Sequence, residues 1–316
     1  MGTAAAENPR GGQHSGWRPP VEAGREPAAA RLRYNDRVSL SASLIEDFER
    51  DGYVVVPDLL SNDELDEFGP HVDAAVARRT RGDPRALHEK SPYQQSFDQC
   101  INLWEDCPEV RPLTFHLALA ETAAHLLGVA GVRVWHDQAL YKQPGGRGTD
   151  PHCDLPYWPI EETEAVTAWI PFDGSTLENG AMGYVPGSHL FGERRFANIF
   201  SGRGFDLENG PEAHGRKPVF VEVPRGGVAF HHGLSIHLAG PNQHPETRRV
   251  HTVIYFADGS TRAKNPKLRH PCVDRAGIAP GAPVISDVTP MAWPRAGADL
   301  PTPPARPDPP LLGWPR

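Results

Sequence analysis

Hydrophobic residues in the first half of the chain recur mostly at helical spacing. After position 64 they return every three to four residues, which predicts a helix to about Arg79 with one buried face. The residues of this face are Leu65, Phe68, Val72 and Val76. Ser61 and Glu64 form a capping-box signature at its start, because each side chain can bond the other's free backbone N–H. Further patterns predict a short helix over 44–51 and a helix over 110–127 that Gly128 ends.

The second half of the chain changes to the pattern of strands. Short runs rich in β-branched and aromatic residues are bounded by glycine, proline and polar residues, as is typical of a sheet. One such run precedes the first long helix, and the full set is 53–56, 132–141, 165–172, 182–185, 219–223, 228–230 and 251–256. We therefore expect a mainly β fold with flanking helices. Residues 190–217 are glycine-rich, charged and without apolar periodicity, which predicts a long insertion that forms a lid or rim.

The two ends of the chain differ from its middle. Residues 1–38 are rich in glycine, alanine, proline, arginine and glutamate, and this composition predicts a disordered segment. From Pro290 to Arg316, nine of 27 residues are proline, which predicts an extended tail, free or lying over the domain. We expect one folded domain over 39–285 between the disordered segment and a proline-rich tail over 286–316.

Composition narrows the classes of function. Forty acidic residues against 32 basic ones give a net charge of −8, and no cluster of lysine and arginine indicates a nucleic-acid or membrane partner. No apolar run approaches the roughly 18 residues of a membrane span, and the N-terminus has no apolar signal core. The four cysteines are too few and too scattered for a disulfide framework. These features predict a cytoplasmic protein.

One short motif and two later residues indicate a metal site. His152 and Asp154 form a His-x-Asp pair, and His237 can add a second imidazole. Two imidazoles and one carboxylate can occupy one face of Fe(II), which leaves coordination positions open for a co-substrate and O2. Arg248 lies eleven residues after His237, and its guanidinium can grip a carboxylate through two parallel hydrogen bonds. Together they point to iron and a dicarboxylic acid such as 2-oxoglutarate.

A set of short motifs occurs in order between about residues 44 and 260. They are Asp51-Gly-Tyr-Val-Val-Val-Pro57, Tyr141-Lys-Gln-Pro-Gly145, His-Cys-Asp-Leu-Pro-Tyr-Trp-Pro from His152, Thr167-Ala-Trp-Ile-Pro171, Glu178-Asn-Gly180, Val185-Pro-Gly-Ser-His189 and the segment from His237 to Arg248. By these motifs the chain resembles the phytanoyl-CoA dioxygenase family of Fe(II)- and 2-oxoglutarate-dependent oxygenases. The resemblance implies that the domain over 39–285 is a dioxygenase with a double-stranded β-helix, also called a jelly roll or cupin-like barrel.

The resemblance also implies roles for individual residues. The implied iron ligands are His152, Asp154 and His237. Arg248, and not its neighbour Arg249, is expected to hold the distal carboxylate of 2-oxoglutarate, because adjacent strand residues face opposite sides. Gln138 and Trp169 match family positions in the co-substrate pocket, although a surface amide and a packed core tryptophan would look the same. Relatives that halogenate have a small residue in place of the Asp154 carboxylate, so hydroxylation with release of succinate and CO2 is expected.

The substrate is less determined by these patterns. Residues around the ligand motif and in the helical region are expected to contact it, namely Tyr141, Tyr157, Trp158, Asn102 and Trp104. No basic cluster suits the phosphates of coenzyme A, so a small metabolite of secondary metabolism is favoured over an acyl-CoA. The alternative is a cupin-like protein that binds a metal or ligand without oxygenating it, and such a protein would not need Arg248. The oligomeric state stays open.

Three groups near the motifs have simpler interpretations. His231 and His232 are neighbours on a predicted strand, so at most one can face the barrel interior, and both are interpreted as structural. Lys142 is interpreted as a solvated or structural cation. Cys153 lies between two ligands and is expected to point to the opposite side of the strand as a small buried residue.

Overall fold

Two antiparallel sheets form the centre of the computed structural model, which describes residues 40–266, 268–295 and 299–305. In chain order the strands are β1 (Tyr53–Val56), β2 (Asp98–Ile101), β3 (Val132–Lys142), β4 (Thr149–His152), β5 (Ala165–Pro171), β6 (Met182–Tyr184), β7 (Val219–Val221), β8 (Val228–His232), β9 (His237–Ala239), β10 (Arg248–Ala257) and β11 (Met291–Trp293). The larger sheet has the order β1-β8-β5-β10-β3-β11, with β2 also paired to β3, and the smaller has the order β4-β9-β6-β7. This is the double-stranded β-helix arrangement, and the predicted fold class is confirmed.

Seven of these strands correspond to predicted runs, and four were not predicted. The unpredicted strands β2, β4, β9 and β11 have only three or four residues each, too few to show alternation. Strand β10 begins three residues earlier than predicted, so Arg248 is its first residue. Nearly every residue of β10 is buried, because β10 pairs with β3 and β5 and has cover on both faces. Arg248 therefore lies at the start of a largely buried central strand of the larger sheet.

Most helices cover one face of the larger sheet, and two short ones pack on the opposite face. They are α1 (Ala42–Asp51), α2 (Asn62–Thr80), α3 (Pro92–Ser96), α4 (Leu103–Asp106), α5 (Arg111–Thr114), α6 (Leu117–Leu127) and α7 (Pro271–Asp274). The predicted capping box of α2 is confirmed, with the Ser61 backbone N–H donating to Glu64 at 2.8 Å and the Glu64 N–H donating to Ser61 Oγ at 3.2 Å. Fully buried residues of α6 and of the sheet form one core cluster, which includes Leu119, Ala120, Val134, Val166 and Val253.

The helix predicted over 110–127 is two helices, so that prediction is wrong at its centre. Between α5 and α6, His116 adopts an extended conformation, and its Nε2 lies 3.0 Å from Glu64 of α2. Phe115 packs edge-on against Trp104, with 5.3 Å between ring centroids. These tertiary contacts account for the break, because a continuous helix would turn both side chains away from their partners. Gly128 ends α6 in the left-handed conformation, as predicted.

The sheet continues beyond the predicted domain limit at residue 285. Strand β11 pairs with β3, with Met291 opposite Arg133, and Val288 and Ala292 are buried. The first part of the predicted tail therefore contributes a strand to the larger sheet. The predicted segment over 1–38 and residues 306–316 lie outside the described residues. None of the helices described is long and apolar enough to cross a membrane.

Candidate metal centre and active site

The smaller sheet brings the three predicted ligands together. His152 ends β4, His237 begins β9, and the two residues are directly paired across these strands. Asp154 follows two residues later, at the start of the 3-10 turn Leu155–Tyr157. One donor atom from each side chain lies within 4.8 Å of the others. Asp154 Oδ1 is 3.7 Å from His152 Nε2 and 3.6 Å from His237 Nε2.

Backbone carbonyl groups set the tautomers of both imidazoles. His152 Nδ1 lies 2.7 Å from the carbonyl oxygen of Asp150, and His237 Nδ1 lies 3.0 Å from that of Ser235. A carbonyl oxygen only accepts, so each Nδ1 carries the hydrogen and each Nε2 presents a lone pair towards Asp154. Burial lowers the pKa of both histidines to about 4. Both rings are therefore neutral and able to bind a metal near neutral pH.

The second carboxylate oxygen of Asp154 is held from the larger sheet. Asp154 Oδ2 accepts a hydrogen bond of 3.0 Å from the Thr167 hydroxyl and lies 3.3 Å from His231 Nε2. The other nitrogen of His231 lies 3.5 Å from the Tyr184 hydroxyl. Burial alone would raise the pKa of Asp154, but attraction from His237 and the hydrogen bond from His231 outweigh it and lower that pKa. The carboxylate is thus ionised and oriented, with Oδ1 facing the two imidazoles.

His231 therefore does more than the structural role predicted for it. It faces the site, whereas His232 packs against Phe48 and His189 on the other side of β8, as strand alternation requires. Sequence reasoning missed the contacts of both Thr167 and His231 with Asp154, although Thr167 lies on a predicted strand and His231 directly follows one. Cys153 packs in a buried cluster with Val185, Ala213 and Ile236, away from the ligands, as predicted.

The donor set fits iron. Two neutral imidazoles and one carboxylate on one side of a shared point match the facial arrangement that non-haem Fe(II) oxygenases use. In each of the three side chains, the atom that does not face the metal position forms a hydrogen bond that fixes the orientation of the group. Such orienting hydrogen bonds are common in metal sites of proteins. The three side chains also line a cavity that is open to solvent, so a ligand can reach the metal position.

Arg248 projects into this cavity as a buried cation. Its side chain is only 4 % exposed, its guanidinium lies over the Trp169 ring at 5.2 Å, and it donates to the carbonyl of Gly180. Its Nε has no hydrogen-bond partner, and no carboxylate of the described residues lies within ion-pair distance. Burial lowers the pKa of Arg248 to about 9, so the group still carries its charge near neutral pH. A buried cation without an anion is costly, which indicates that a ligand anion belongs beside it.

Arg249 faces the opposite way. It forms ion pairs of 2.6 Å with Asp73 and Asp173 on the outer side of the sheet. The structure therefore places Arg248 and Arg249 on opposite faces of β10, as predicted. Gln138 and Trp169 also line the cavity, and Gln138 accepts a hydrogen bond of 2.6 Å from Gln99.

The structure brings only part of the predicted substrate set to the cavity. Tyr157 and Trp158 line it, whereas Tyr141, Asn102 and Trp104 do not. Tyr141 lies on the helix-covered face of β3, where its hydroxyl donates to Asp73 at 2.5 Å. Trp104 packs in the core cluster that also contains Tyr141, and Asn102 is the N-cap residue of α4. The structure therefore places these three residues away from the cavity, because proximity to the motif along the chain does not specify on which side of β3 a residue lies.

Of the two interpretations of Lys142, solvated or structural cation, the structure favours the structural one. Its side chain is fully buried, and Nζ donates to the carbonyl of Arg147 at 2.5 Å. Burial, with repulsion from Arg248 and Arg147, lowers the pKa of Lys142 to about 6. The lysine is therefore a structural donor that is mostly uncharged near neutral pH.

Part of the insertion over 190–217 borders the cavity, as predicted. Ile199 and Phe200 line it from the 3-10 turn Ile199–Ser201, and the Tyr157 hydroxyl donates to the carbonyl of Ala197. Phe200 contacts Tyr93 with 4.9 Å between ring centroids. Sequence reasoning missed several other lining residues, among them Tyr93, Phe97 and Gln99, because α3 and β2 approach the site only in three dimensions.

Known proteins are similar to this chain in sequence and in fold. Residues 48–250 match the family model of phytanoyl-CoA dioxygenase (PhyH). A phytanoyl-CoA dioxygenase of Arabidopsis thaliana is 26 % identical over 266 residues, covering 72 % of this chain and 93 % of that protein. The crystal structure of the non-haem α-ketoglutarate-dependent carbocyclase SnoK from nogalamycin biosynthesis is 27 % identical, with a TM-score of 0.65, and covers 80 % of this chain and 96 % of that one.

A second enzyme of nogalamycin biosynthesis has a similar structure. The α-ketoglutarate-dependent epimerase SnoN is 25 % identical with a TM-score of 0.60, and the match covers 79 % of this chain and 97 % of that one. The family model spans most of the folded domain, and the paired strands present the His-x-Asp and histidine donors beside a cavity. The chain belongs to the phytanoyl-CoA dioxygenase family and is an iron- and 2-oxoglutarate-dependent dioxygenase.

Proposed function

We propose that this protein hydroxylates an unactivated C–H bond of a small metabolite, consuming 2-oxoglutarate and O2 and releasing succinate and CO2. The observation that carries the proposal is Arg248, a buried cation without a carboxylate partner among the described residues, beside the three predicted ligands. A cupin-like protein that only binds a metal would gain nothing from the cost of burying this charge.

Three residues are proposed to hold Fe(II), namely His152, Asp154 and His237. Iron held there supplies the activation of O2 that oxidises a C–H bond at the expense of 2-oxoglutarate. The chain contributes fixed geometry, because backbone carbonyls orient both imidazoles and two donors orient Asp154. Asp154 also occupies the position that halogenating relatives leave open for chloride, which supports hydroxylation.

The co-substrate is proposed to lie between the metal ligands and Arg248. Arg248 would bind the distal carboxylate through charge-assisted hydrogen bonds, and the Trp169 ring beneath the guanidinium limits its movement. Gln138 borders the same space. Burial of these groups excludes water, which strengthens the attraction between the guanidinium and the carboxylate.

A role in natural-product metabolism is supported by two similar structures, SnoK and SnoN, both from nogalamycin biosynthesis. The substrate enters, in this proposal, past Tyr157, Trp158 and the rim at Ile199 and Phe200. We propose that the catalytic domain begins near residue 39 and ends after β11 rather than at residue 285.

The test is formation of the ternary chelate followed by turnover. Under argon, Fe(II) and 2-oxoglutarate should produce a weak visible charge-transfer band, and Asp154→Ala should change its position or intensity. Admission of O2 with a panel of small metabolites should then release succinate above the background without substrate. Absence of the band at saturating Fe(II) and 2-oxoglutarate would refute the proposal. A normal band with no succinate release from any member of a broad panel would refute the proposed class of substrate.

A further inference from the structure

The cavity has two chemically different halves. One half contains Arg248, Trp169 and Gln138, and the proposed function assigns it to 2-oxoglutarate. The other half is walled mainly by large apolar and aromatic side chains, most of which pack in one cluster. These are Tyr93, Phe97, Tyr157, Trp158, Ile199 and Phe200.

The aromatic wall is held in place by its own contacts. The Tyr157 hydroxyl donates to the carbonyl of Ala197, which fixes the ring at the cavity edge. Phe200 lies edge-on to Tyr157 with 5.9 Å between centroids and contacts Tyr93 at 4.9 Å. Rings arranged in this way present both edges and faces to a ligand, and they favour another ring over a flexible chain.

The second half offers no charge to a ligand. Among the described residues that line the whole cavity, Asp154 and Arg248 are the only aspartate, glutamate, lysine or arginine side chains. Asp154 faces the metal ligands, and the proposed function commits Arg248 to the co-substrate. A charged substrate group would therefore be buried without a counter-charge, which is strongly unfavourable.

Uncharged polar groups are available instead. His136 is 3 % exposed, and its Nδ1 has no hydrogen-bond partner in the described structure. His136 lines the cavity, and its ring lies edge-on to that of Trp158 in the aromatic wall. The Tyr93 hydroxyl donates to Gln99 at 3.0 Å and can also accept. One or two hydroxyl or carbonyl groups on a ligand would satisfy these atoms.

We propose that the substrate is an uncharged planar ring compound bearing one or two hydroxyl or carbonyl groups, bound between Phe200, Tyr157 and Trp158. This inference rests on the proposed function, because that function gives Arg248 to 2-oxoglutarate. It excludes acyl-coenzyme A thioesters, free amino acids, zwitterions and phosphorus oxyanions, since each brings a charge that this half of the cavity cannot pair.

Two probes of the same ring size test the charge argument. The enzyme is loaded with Fe(II) and 2-oxoglutarate under argon, and the charge-transfer band is followed while 2-naphthol or 2-naphthoate is added. With Arg248 occupied by the co-substrate, 2-naphthol should shift the band and bind at least tenfold more tightly than 2-naphthoate. Equal or tighter binding of 2-naphthoate would overturn the inference.

Matched variants locate the probe. Phe200→Ala should weaken 2-naphthol binding at least fivefold, because it removes a lining ring. Phe196→Ala should stay within twofold, because Phe196 is 47 % exposed and contacts Tyr157 from outside the cavity. Phe200→Arg should reverse the preference towards 2-naphthoate. Equal effects of the two alanine variants would overturn the assignment of this wall.

The two proposals fail differently. If the charge-transfer band never forms, the proposed function is wrong and this inference loses its basis. If the band forms normally but does not discriminate between the two probes, the proposed function stands and only the substrate class is wrong.

Discussion

Replacement of Arg248 by lysine should distinguish the role of this residue from that of its neighbour Arg249 at the start of β10. The substitution keeps a positive charge but removes the planar fork that binds a carboxylate with two parallel hydrogen bonds. Arg248 is 4 % exposed, so solvent screens the lost interaction little. Lysine would also have to reach both the Gly180 carbonyl and the co-substrate with a single nitrogen. We therefore expect weaker binding of 2-oxoglutarate.

The magnitude follows from the burial and the charge of both partners. A hydrogen bond to a charged group contributes about 1.5–3 kcal/mol, and a buried bidentate pair lies towards the upper end. Loss of about 2–4 kcal/mol corresponds to roughly a thirtyfold to thousandfold rise in the dissociation constant. Arg249→Lys is the matched control. Its ion pairs are with Asp73 and Asp173 outside the cavity, so that variant should stay within about threefold of wild type.

The assay is titration of the Fe(II) enzyme with 2-oxoglutarate under argon, read at the charge-transfer band. A second titration with 2-oxovalerate, which lacks the distal carboxylate, isolates the interaction. Wild type should bind 2-oxovalerate weakly, and Arg248→Lys should weaken that binding little further, because the partner of the arginine is already absent. If Arg248→Lys and Arg249→Lys exchange their effects, or if 2-oxovalerate shows the same loss as 2-oxoglutarate, the assignment of Arg248 is refuted.

Three further variants test the surroundings of the site. Asp154→Ala should abolish hydroxylation while 2-oxoglutarate binding stays measurable, and wild-type turnover in that variant would show that the carboxylate is not a ligand. His231→Leu should weaken Co(II) binding roughly tenfold or more, because it removes a hydrogen bond that orients Asp154. His232→Leu, on the other face of β8, should change Co(II) binding less than threefold, and equal effects of the two variants would contradict this reasoning. Burial raises the pKa of Asp137 from an ordinary value of 3.8 to about 7, so its protonated form contributes stability that is complete below about pH 4 and is lost as the pH rises through about 7. Asp137→Asn should therefore raise the free energy of unfolding by a few kcal/mol, at most about 4, at pH 8 relative to wild type, with a smaller gain at pH 5, and urea titrations that show the same difference at both pH values would contradict it.

Local patterns in the sequence were sufficient for much of the framework. The capping box at Ser61 and the strand at Tyr53–Val56 depend on neighbours only a few residues apart, and both occur where predicted. The metal ligands were found because the chemistry demands particular side chains at short spacing, as in His152 and Asp154. Alternation along one strand was enough to separate Arg248 from Arg249, since it depends only on backbone geometry.

Tertiary structure decided what depends on contacts between distant segments. The helix predicted over 110–127 breaks because His116 reaches Glu64, 52 residues away. Tyr141 lies near the ligand motif in the chain but faces the helices, since the side of β3 that meets the cavity is set by the whole sheet.

Tertiary structure also decided which side chains support Asp154 and which residues form the walls of the cavity. His231 reaches the carboxylate from the larger sheet, 77 residues along the chain, and the distance between them is set by how β8 and the turn after β4 meet. The aromatic wall joins α3, the turn after β4 and the insertion over 190–217. A sequence pattern records which faces are apolar and which residues can bind a metal. Only the packing of these separate elements determines which side chains share one cavity, because that depends on contacts between segments far apart in the chain.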